Sequence, residues 1–189
     1  MTAHLVARFR AARRDPGRVV LEGFHALKHA LRFGAEIELA VGVDPGRIAG
    51  LARDLAPDVA AATAAAVVPC AAADFDRLAP TPPATGVMAL AARPAATDDE
   101  GRGDRPLVVL DRPRHLGNLG AAIRVAAAAD AAGVIVMGEV DPWHPTAVRG
   151  AAGLQFALPC RRVDALTAVA RRRIGFDARG APLAAGRVA

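Results

Sequence analysis

From Leu107 to Gly138 the chain reads LVVLDRPRHLGNLGAAIRVAAAADAAGVIVMG. An apolar run enters a polar turn that holds Gly117, Asn118 and Gly120, and an alanine-rich helix follows. Glycines let backbone amides approach a ligand closely, and Asn118 offers both donors and an acceptor. Arg124 falls within the first turns of that helix, where a cation gains nothing from the helix dipole. A positive charge placed there asks for an anionic partner. Two readings of these residues stand open: an anion-binding turn, or a pair of loop glycines with an arginine that reaches solvent. A dinucleotide site would need G-x-G-x-x-G directly after the strand and an acidic residue about twenty positions on. Gly117-Asn-Leu-Gly120 lacks that spacing.

Two other groupings could carry chemistry. His25 and His29 stand four apart, a possible metal pair on one helix face. No Glu completes an H-E-x-x-H pattern and no third ligand is evident, so a chance, partly exposed pair is the expectation and no metal is assigned. Met1–Phe33 carries Arg8, Arg10, Arg13, Arg14, Arg18, Lys28 and Arg32 against Asp15 and Glu22. Charge alone reads there as a solvated helical face. As a docking surface, Arg8, Arg10, Arg13 and Arg14 would contact phosphates. Phe9, Phe24 and Phe33 fit a core or a helix face better than a base-stacking platform.

The elements that must position these residues follow from periodicity. Arg18–Glu22 reads as a short strand. Phe24–Phe33 reads as a helix with Phe24, Leu27, Ala30 and Leu31 at helical spacing, closed at Gly34. Glu36–Val43 alternates like a strand, and Asp44-Pro45 caps and opens a helix. Ala65–Pro69 and Gly86–Ala91 read as strands, with a helical stretch at Asp74–Leu78. The stretch 93–105 (RPAATDDEGRGDR) is rich in proline, glycine and charge, which makes it a linker. Beyond it, Leu107–Leu110 is expected to be a strand buried on both faces. Leu119–Ala132 should be a helix stopped by Gly133, and Val134–Met137 the next parallel strand. Pro145–Ala152 and an N-capped Asp164–Arg173 read as helices, and Ile174–Asp177 as a strand start. Trp143, between prolines, is a loop anchor. The fold class is therefore α/β.

Composition sets bounds on this reading. The chain has 189 residues, 53% hydrophobic and 23% charged, as in a folded protein rather than a disordered one. Only Cys70 and Cys160 are present, in no paired motif, which points to a reducing compartment and a cytoplasmic location. Arginines punctuate Met1–Arg14, so no signal peptide is expected. Gly120–Gly138 is broken by Arg124 and Asp130, so no membrane span is expected either. The net charge of +5 admits a nucleic-acid partner. However, Lys28 is the only lysine among 24 basic residues, and tyrosine is absent. That is the mark of a GC-rich coding bias, and it weakens any argument from total charge.

The string from Leu107 to Gly138 resembles the first signature motif of the SpoU/TrmH (SPOUT) RNA ribose 2′-O-methyltransferases. Asp111, Gly117, Asn118, Gly120, Arg124, Ala126, Gly133, Val134 and Gly138 fill the motif's positions. His115-Leu116 stands where the family usually has an acidic residue and proline. Arg18–Leu31, with Glu22-Gly23, is similar to the opening of the family's substrate-binding domain, and Thr85–Leu90 to the strand that closes it. Pro145–Gly153 with Leu158-Pro159 resembles the second motif.

The resemblance, from about Arg8 to Arg179, implies a small α/β RNA-substrate-binding domain at 1–92, a linker at 93–105 and a parallel-sheet α/β-knot methyltransferase domain at 106–189. It implies S-adenosylmethionine as cofactor, contacted around Met137, Gly138 and Glu139, and rRNA or tRNA as substrate. It implies a homodimer, Arg124 and Asn118 as catalytic residues, and His115 and Arg149 as further RNA contacts. A guanidinium stays protonated far above neutral pH, so clamping phosphate or stabilising an alkoxide suits Arg124 better than acting as a base. The family's third motif, with its Ser-Leu-Asn helix start, has no counterpart after Ile174. The expectation is a chain that stops before the knot-threading, dimer-forming segment: either a truncated enzyme or an RNA-binding member without catalysis.

Overall fold

The computed structural model describes residues 2–96, 104–166, 172–176 and 179. Strand β1 (Arg18–Glu22) alternates Val19 and Leu21 to one face and Val20 to the other, and all three are buried. A strand with both faces covered needs apolar residues on both, and the central Val19-Val20-Leu21 of RVVLE supplies them. Its partners complete a four-stranded sheet ordered β1-β4-β2-β3, with β2 at Ile37–Gly42, β3 at Val67–Pro69 and β4 at Val87–Ala92. Antiparallel β4 pairs Leu90 with Val20 and Ala89 with Leu21.

Helix α1 (Thr2–Ala12) lays Val6, Phe9 and Ala12 on one face of this sheet. Phe9 is fully buried, worth roughly 1.5–3 kcal/mol. The other face carries α2 (Phe24–Arg32), α3 (Pro45–Leu55) and α4 (Ala60–Ala66). The α2 helix buries Phe24, Ala26, Leu27 and Ala30, and leaves His25, Lys28, His29 and Arg32 on the opposite stripe. The α3 cap is as expected, with Asp44 accepting from the Arg47 amide at 2.9 Å.

The second sheet is parallel, β5-β6-β7, with β5 at Leu107–Asp111, β6 at Gly133–Met137 and β7 at Cys160–Val163. Helix α6 (Leu116–Ala128) crosses from β5 to β6, and α7 (Pro145–Gly150) packs along it. A short α5 (Ala72–Phe75) precedes the 81–85 loop.

Several expectations are corrected. Ala65 and Ala66 end helix α4 rather than begin a strand, because the alanine run favours helix and only Val67 and Val68 are β-branched. The helical stretch at Asp74–Leu78 starts earlier and closes at Phe75. Strand β5 is not buried on both faces: Val109 is 38% exposed, since β5 is an edge of the described sheet. The central β6 has that role instead, with Gly133–Val136 all buried.

Helix α6 stops at Ala128, before Gly133. Asp130 takes φ +53° and the Ala131 amide bonds back to Ala126, a left-handed close with aspartate in place of glycine. Residues 172–176 hold no strand. The third strand is Cys160–Val163, whose arginines hid it. The core of the Asp164–Arg173 helix expectation lies outside the described residues.

The two sheets are joined by packing. Trp143 and Val148 enter the same apolar cluster as Val19, Leu21 and Phe24. Trp143 donates from Nε1 to the Cys160 carbonyl at 3.0 Å and stands edge-on to Phe156. Arg93 lies over its ring, 5.6 Å from the centroid, and pairs with Asp141 through both guanidinium nitrogens. Arg93, the first residue of the expected linker, is therefore fastened to the second half. Among the described residues no helix is long and apolar enough to cross a membrane.

Candidate functional site

Gly117 and Gly120 lie within α6, and Gly120 serves helix packing. Gly117, Gly120 and Arg124 fall at i, i+3 and i+7, one stripe of α6. A Cβ on Gly120 would lie 2.5 Å from the Ala147 carbonyl oxygen and 2.8 Å from the Ala151 nitrogen. Gly150 answers from α7, where a Cβ would come within 3.2 Å of the Gly117 carbonyl oxygen. Backbone therefore meets backbone, and α7 lies tight against α6. The continuation of the stripe brings Arg124 beside α7 and opposite α2.

There the two halves of the chain enclose a cleft of about 590 Å³. His25, Lys28 and His29 come from α2, Arg124 from α6, Arg149 from α7 and Glu22 from the end of β1. The 81–85 loop closes one side, fixed where Thr85 Oγ1 accepts the Phe24 amide at 3.1 Å. Glu22 is buried and takes two arginines: Arg13, in the turn after α1, at 2.7 Å and Arg149 at 2.5 Å. Arg149 also donates to the Thr81 carbonyl at 2.8 Å, and Arg13 to that of Leu78 at 3.1 Å. His29 Nδ1 lies 2.7 Å from the Ala152 carbonyl. A carbonyl only accepts, so Nδ1 carries the proton and Nε2 of the neutral ring is an acceptor.

Charge crowds this space. The His29 pKa is held below its ordinary value chiefly by burial, against the Ala152 bond, with Lys28, Arg32 and His25 adding to the depression. His25 is largely exposed, yet its pKa is lowered too, first by its partial burial and then by Lys28 and Arg124. Lys28 is lowered by burial first, then by Arg32 and Arg124, with Asp58 opposing. Both imidazoles are therefore mainly neutral at neutral pH.

The structure gathers some of the expected site residues and separates others. Arg124 and Arg149 meet in the cleft, but Arg149 is committed to Glu22. Arg13 is likewise committed, while Arg10 and Arg14 are exposed and Arg8 is half-buried. Asn118 and His115 are exposed at the start of α6, away from the cleft lining.

Met137, Gly138 and Glu139 sit at the carboxyl end of β6, beside Asp111 and Arg112 at the end of β5. Gly138 takes φ +101° and Arg112 φ +45°. The Gly138 amide and carbonyl are already taken by Val163 and Arg162. Half-buried Met137 and exposed Glu139 remain to face a ligand there. The sequence reading missed Glu22 as a junction and Lys28 as a cleft residue. The signal for Lys28 was the basic stripe His25, Lys28, His29 and Arg32 at i, i+3, i+4 and i+7. The histidine pair gains no metal partner: no group of three or more His, Cys, Asp or Glu is placed to hold an ion among the described residues.

Residues 105–180 match the model of the SpoU rRNA methylase family. They form a SpoU-family segment. The SpoU likeness reaches further than that segment. The chain is 31% identical over 161 residues to the mitochondrial rRNA methyltransferase 3A of Danio rerio, covering 82% of this chain and 36% of that protein. A crystal structure of an RNA 2′-O ribose methyltransferase matches at 29% identity and a TM-score of 0.61, covering 85% of this chain and 61% of its own. An AdoMet-bound rRNA methyltransferase from Sinorhizobium meliloti matches at 25% identity and a TM-score of 0.62, covering 85% and 60%. The chain thus spans about a third of that curated relative and about three fifths of these solved chains. Matches over 85% of the chain take in the N-terminal sheet as well as the SpoU segment.

Proposed function

We propose that this protein is an S-adenosylmethionine-dependent RNA methyltransferase that modifies a ribose 2′-hydroxyl, in ribosomal RNA before tRNA, in the cytoplasm. One observation carries this reading. The arginine of the SpoU motif, Arg124, opens into a cationic cleft between the SpoU segment and the N-terminal sheet. The substrates named for the relatives, rRNA and an RNA ribose, support the choice of acceptor.

The carboxyl ends of β5 and β6 are where open parallel sheets take ligands. The residues present fit the cofactor in part: exposed Glu139 offers a carboxylate to hydroxyl groups, and Met137 an apolar flank. The cofactor would supply a methyl group already activated by its positive sulfur. The protein's own tasks are alignment and charge control. The ribose hydroxyl is a poor nucleophile that loses its proton in the transition state. Arg124 is assigned to the developing oxyanion or the adjoining phosphate, and Asn118 to the target nucleotide or the shape of its loop. Exposed Arg10 and Arg14, with Arg8, are assigned to RNA phosphates, and His115 to RNA at the mouth of the turn. Arg149, held by Glu22, is assigned to the cleft wall rather than to RNA.

Calorimetry with S-adenosylmethionine, followed by methyl transfer to bulk ribosomal RNA, tests the proposal. Micromolar cofactor binding is expected, together with transfer that falls at least ~100-fold in Arg124→Ala while cofactor binding persists. A folded chain that binds no S-adenosylmethionine would overturn it and leave an RNA-binding protein of the same fold.

A further inference from the structure

We propose that the cleft between α2 and α6 is a phosphodiester clamp built from both halves of the chain, with Lys28 and His25 on one wall and Arg124 on the other. The inference rests on the RNA reading above and adds the place where the strand is gripped.

Part of the cleft's charge has no internal partner among the described residues. Three permanent cations line the cleft: Lys28, Arg124 and Arg149. Its one carboxylate, Glu22, gives one oxygen to Arg13 and the other to Arg149. Asp58, the acid whose charge acts on Lys28, is held in a two-point pair by Arg32 at 2.6 Å. Lys28 and Arg124 thus line a shared space, where Lys28 is depressed by burial first and then by Arg32 and Arg124. A protein that holds like charges together without a counter-charge gains stability when an anion enters.

Position selects a phosphodiester among anions. The carboxyl ends of β5 and β6, where Met137 and Glu139 lie, are separate from the cleft lining. The cleft wall includes Glu22 and Arg149, and Glu22 also pairs with Arg13 in the turn that follows α1, where the flanking Arg10 and Arg14 are exposed. A polyanionic strand would bridge from these exposed arginines to the cleft, whereas an isolated small anion would fill the cleft alone. Lys28 is a compact cation on a flexible stem, suited to a phosphate at variable distance, and Arg124 offers the planar fork.

The test uses the whole chain and two probes: a short mixed-sequence oligoribonucleotide and inorganic phosphate. His25 and His29 ring resonances are followed against pH. RNA affinity is measured against salt for the wild type, Lys28→Ala and Lys28→Arg. His25 is faced by Lys28, His29, Arg124, Glu22 and Arg149. A bound phosphodiester should raise its pKa toward the ordinary histidine range. Lys28→Ala should weaken RNA binding roughly fivefold near ~0.1 M salt and make the log–log salt slope shallower by about 0.7, while Lys28→Arg retains both.

RNA binding with unchanged affinity and slope in Lys28→Ala, and an unmoved His25, would overturn the clamp and leave the methyltransferase reading intact. Lys28-dependent RNA binding without methyl transfer would keep the clamp and overturn that reading. A His25 shift with inorganic phosphate but no RNA binding would mean a small-anion site and overturn the phosphodiester assignment. A wild type that responds to neither probe overturns it outright.

Discussion

Gly120 and Gly117 make opposite demands on a methyl group. At Gly120 a Cβ meets the backbone of α7 at 2.5–2.8 Å, and backbone cannot swing aside as a side-chain tip can. Gly120→Ala should therefore lose about 1–3 kcal/mol of stability, despite alanine's higher helix propensity. At Gly117 nothing lies within 4 Å, so Gly117→Ala should be neutral or stabilising by up to ~1 kcal/mol. Urea unfolding of the pair checks this, and equal effects would show that α6 and α7 do not approach as described. The two glycines look alike in sequence, where both read as openings for a ligand. Only the crossing of α6 and α7 tells them apart. Arg124 was legible because the whole motif string marks it. Lys28 was not, because its meaning depends on which helix faces it. Arg149 carries the same lesson in reverse: its arginine was visible, but Glu22, far away in sequence, decides that its charge is spent within the protein.

At the scale of elements, polar ties hold α1, α2 and α7 together. Glu22 joins the turn after α1 to α7 through Arg13 and Arg149 and is itself buried. Glu22→Gln leaves two arginines around a neutral group and should cost about 2–4 kcal/mol. Amide exchange should quicken first in α1, and unchanged protection there would count against the bridge. His29 ties α2 to the turn after α7 through the Ala152 carbonyl. Its pKa and that of His25 are lowered in the folded protein, so the unfolded chain takes up protons first as pH falls. The stability these rings allow is intact above their unfolded pKa near ~6.5 and is lost as pH falls from there through the lowered folded values. Urea midpoints between pH 8 and 5 should show the decline. It should flatten in His29→Asn, whose amide can still donate to Ala152 but does not titrate. A midpoint that rises on acidification would refute the assignment. Most elements were readable from periodicity and caps, as with Asp44 before α3. Strand β7 was not, because an edge strand with two arginines lacks the apolar run that gave away β6. Nor could Leu107–Leu110 reveal that one face of β5 stays open.

The largest scale is the joint between the two sheets. Composition marks 93–105 as a spacer, and a spacer suggests halves that move independently. The packing argues otherwise. Val148 and Trp143 from the SpoU segment share one apolar cluster with Val19, Leu21 and Phe24 of the first sheet. Arg93 covers the indole and pairs with Asp141. A cluster that belongs to both halves cannot be dissolved from one side alone without exposing the other's apolar surface, so unfolding should be cooperative across the whole chain. Trp143 is the only tryptophan, so its fluorescence reports this joint, while far-UV circular dichroism reports the helices of both halves. In urea the two signals should give one coincident transition. Trp143→Phe removes the fluorescent reporter, so it is followed by dichroism alone, where its midpoint should fall by a loss of about 1–3 kcal/mol from the missing Cys160 hydrogen bond and the reduced contact area. A fluorescence transition that clearly precedes the dichroism transition would show that the halves part before they melt. The cleft between α2 and α6 would then be a hinge rather than a fixed site.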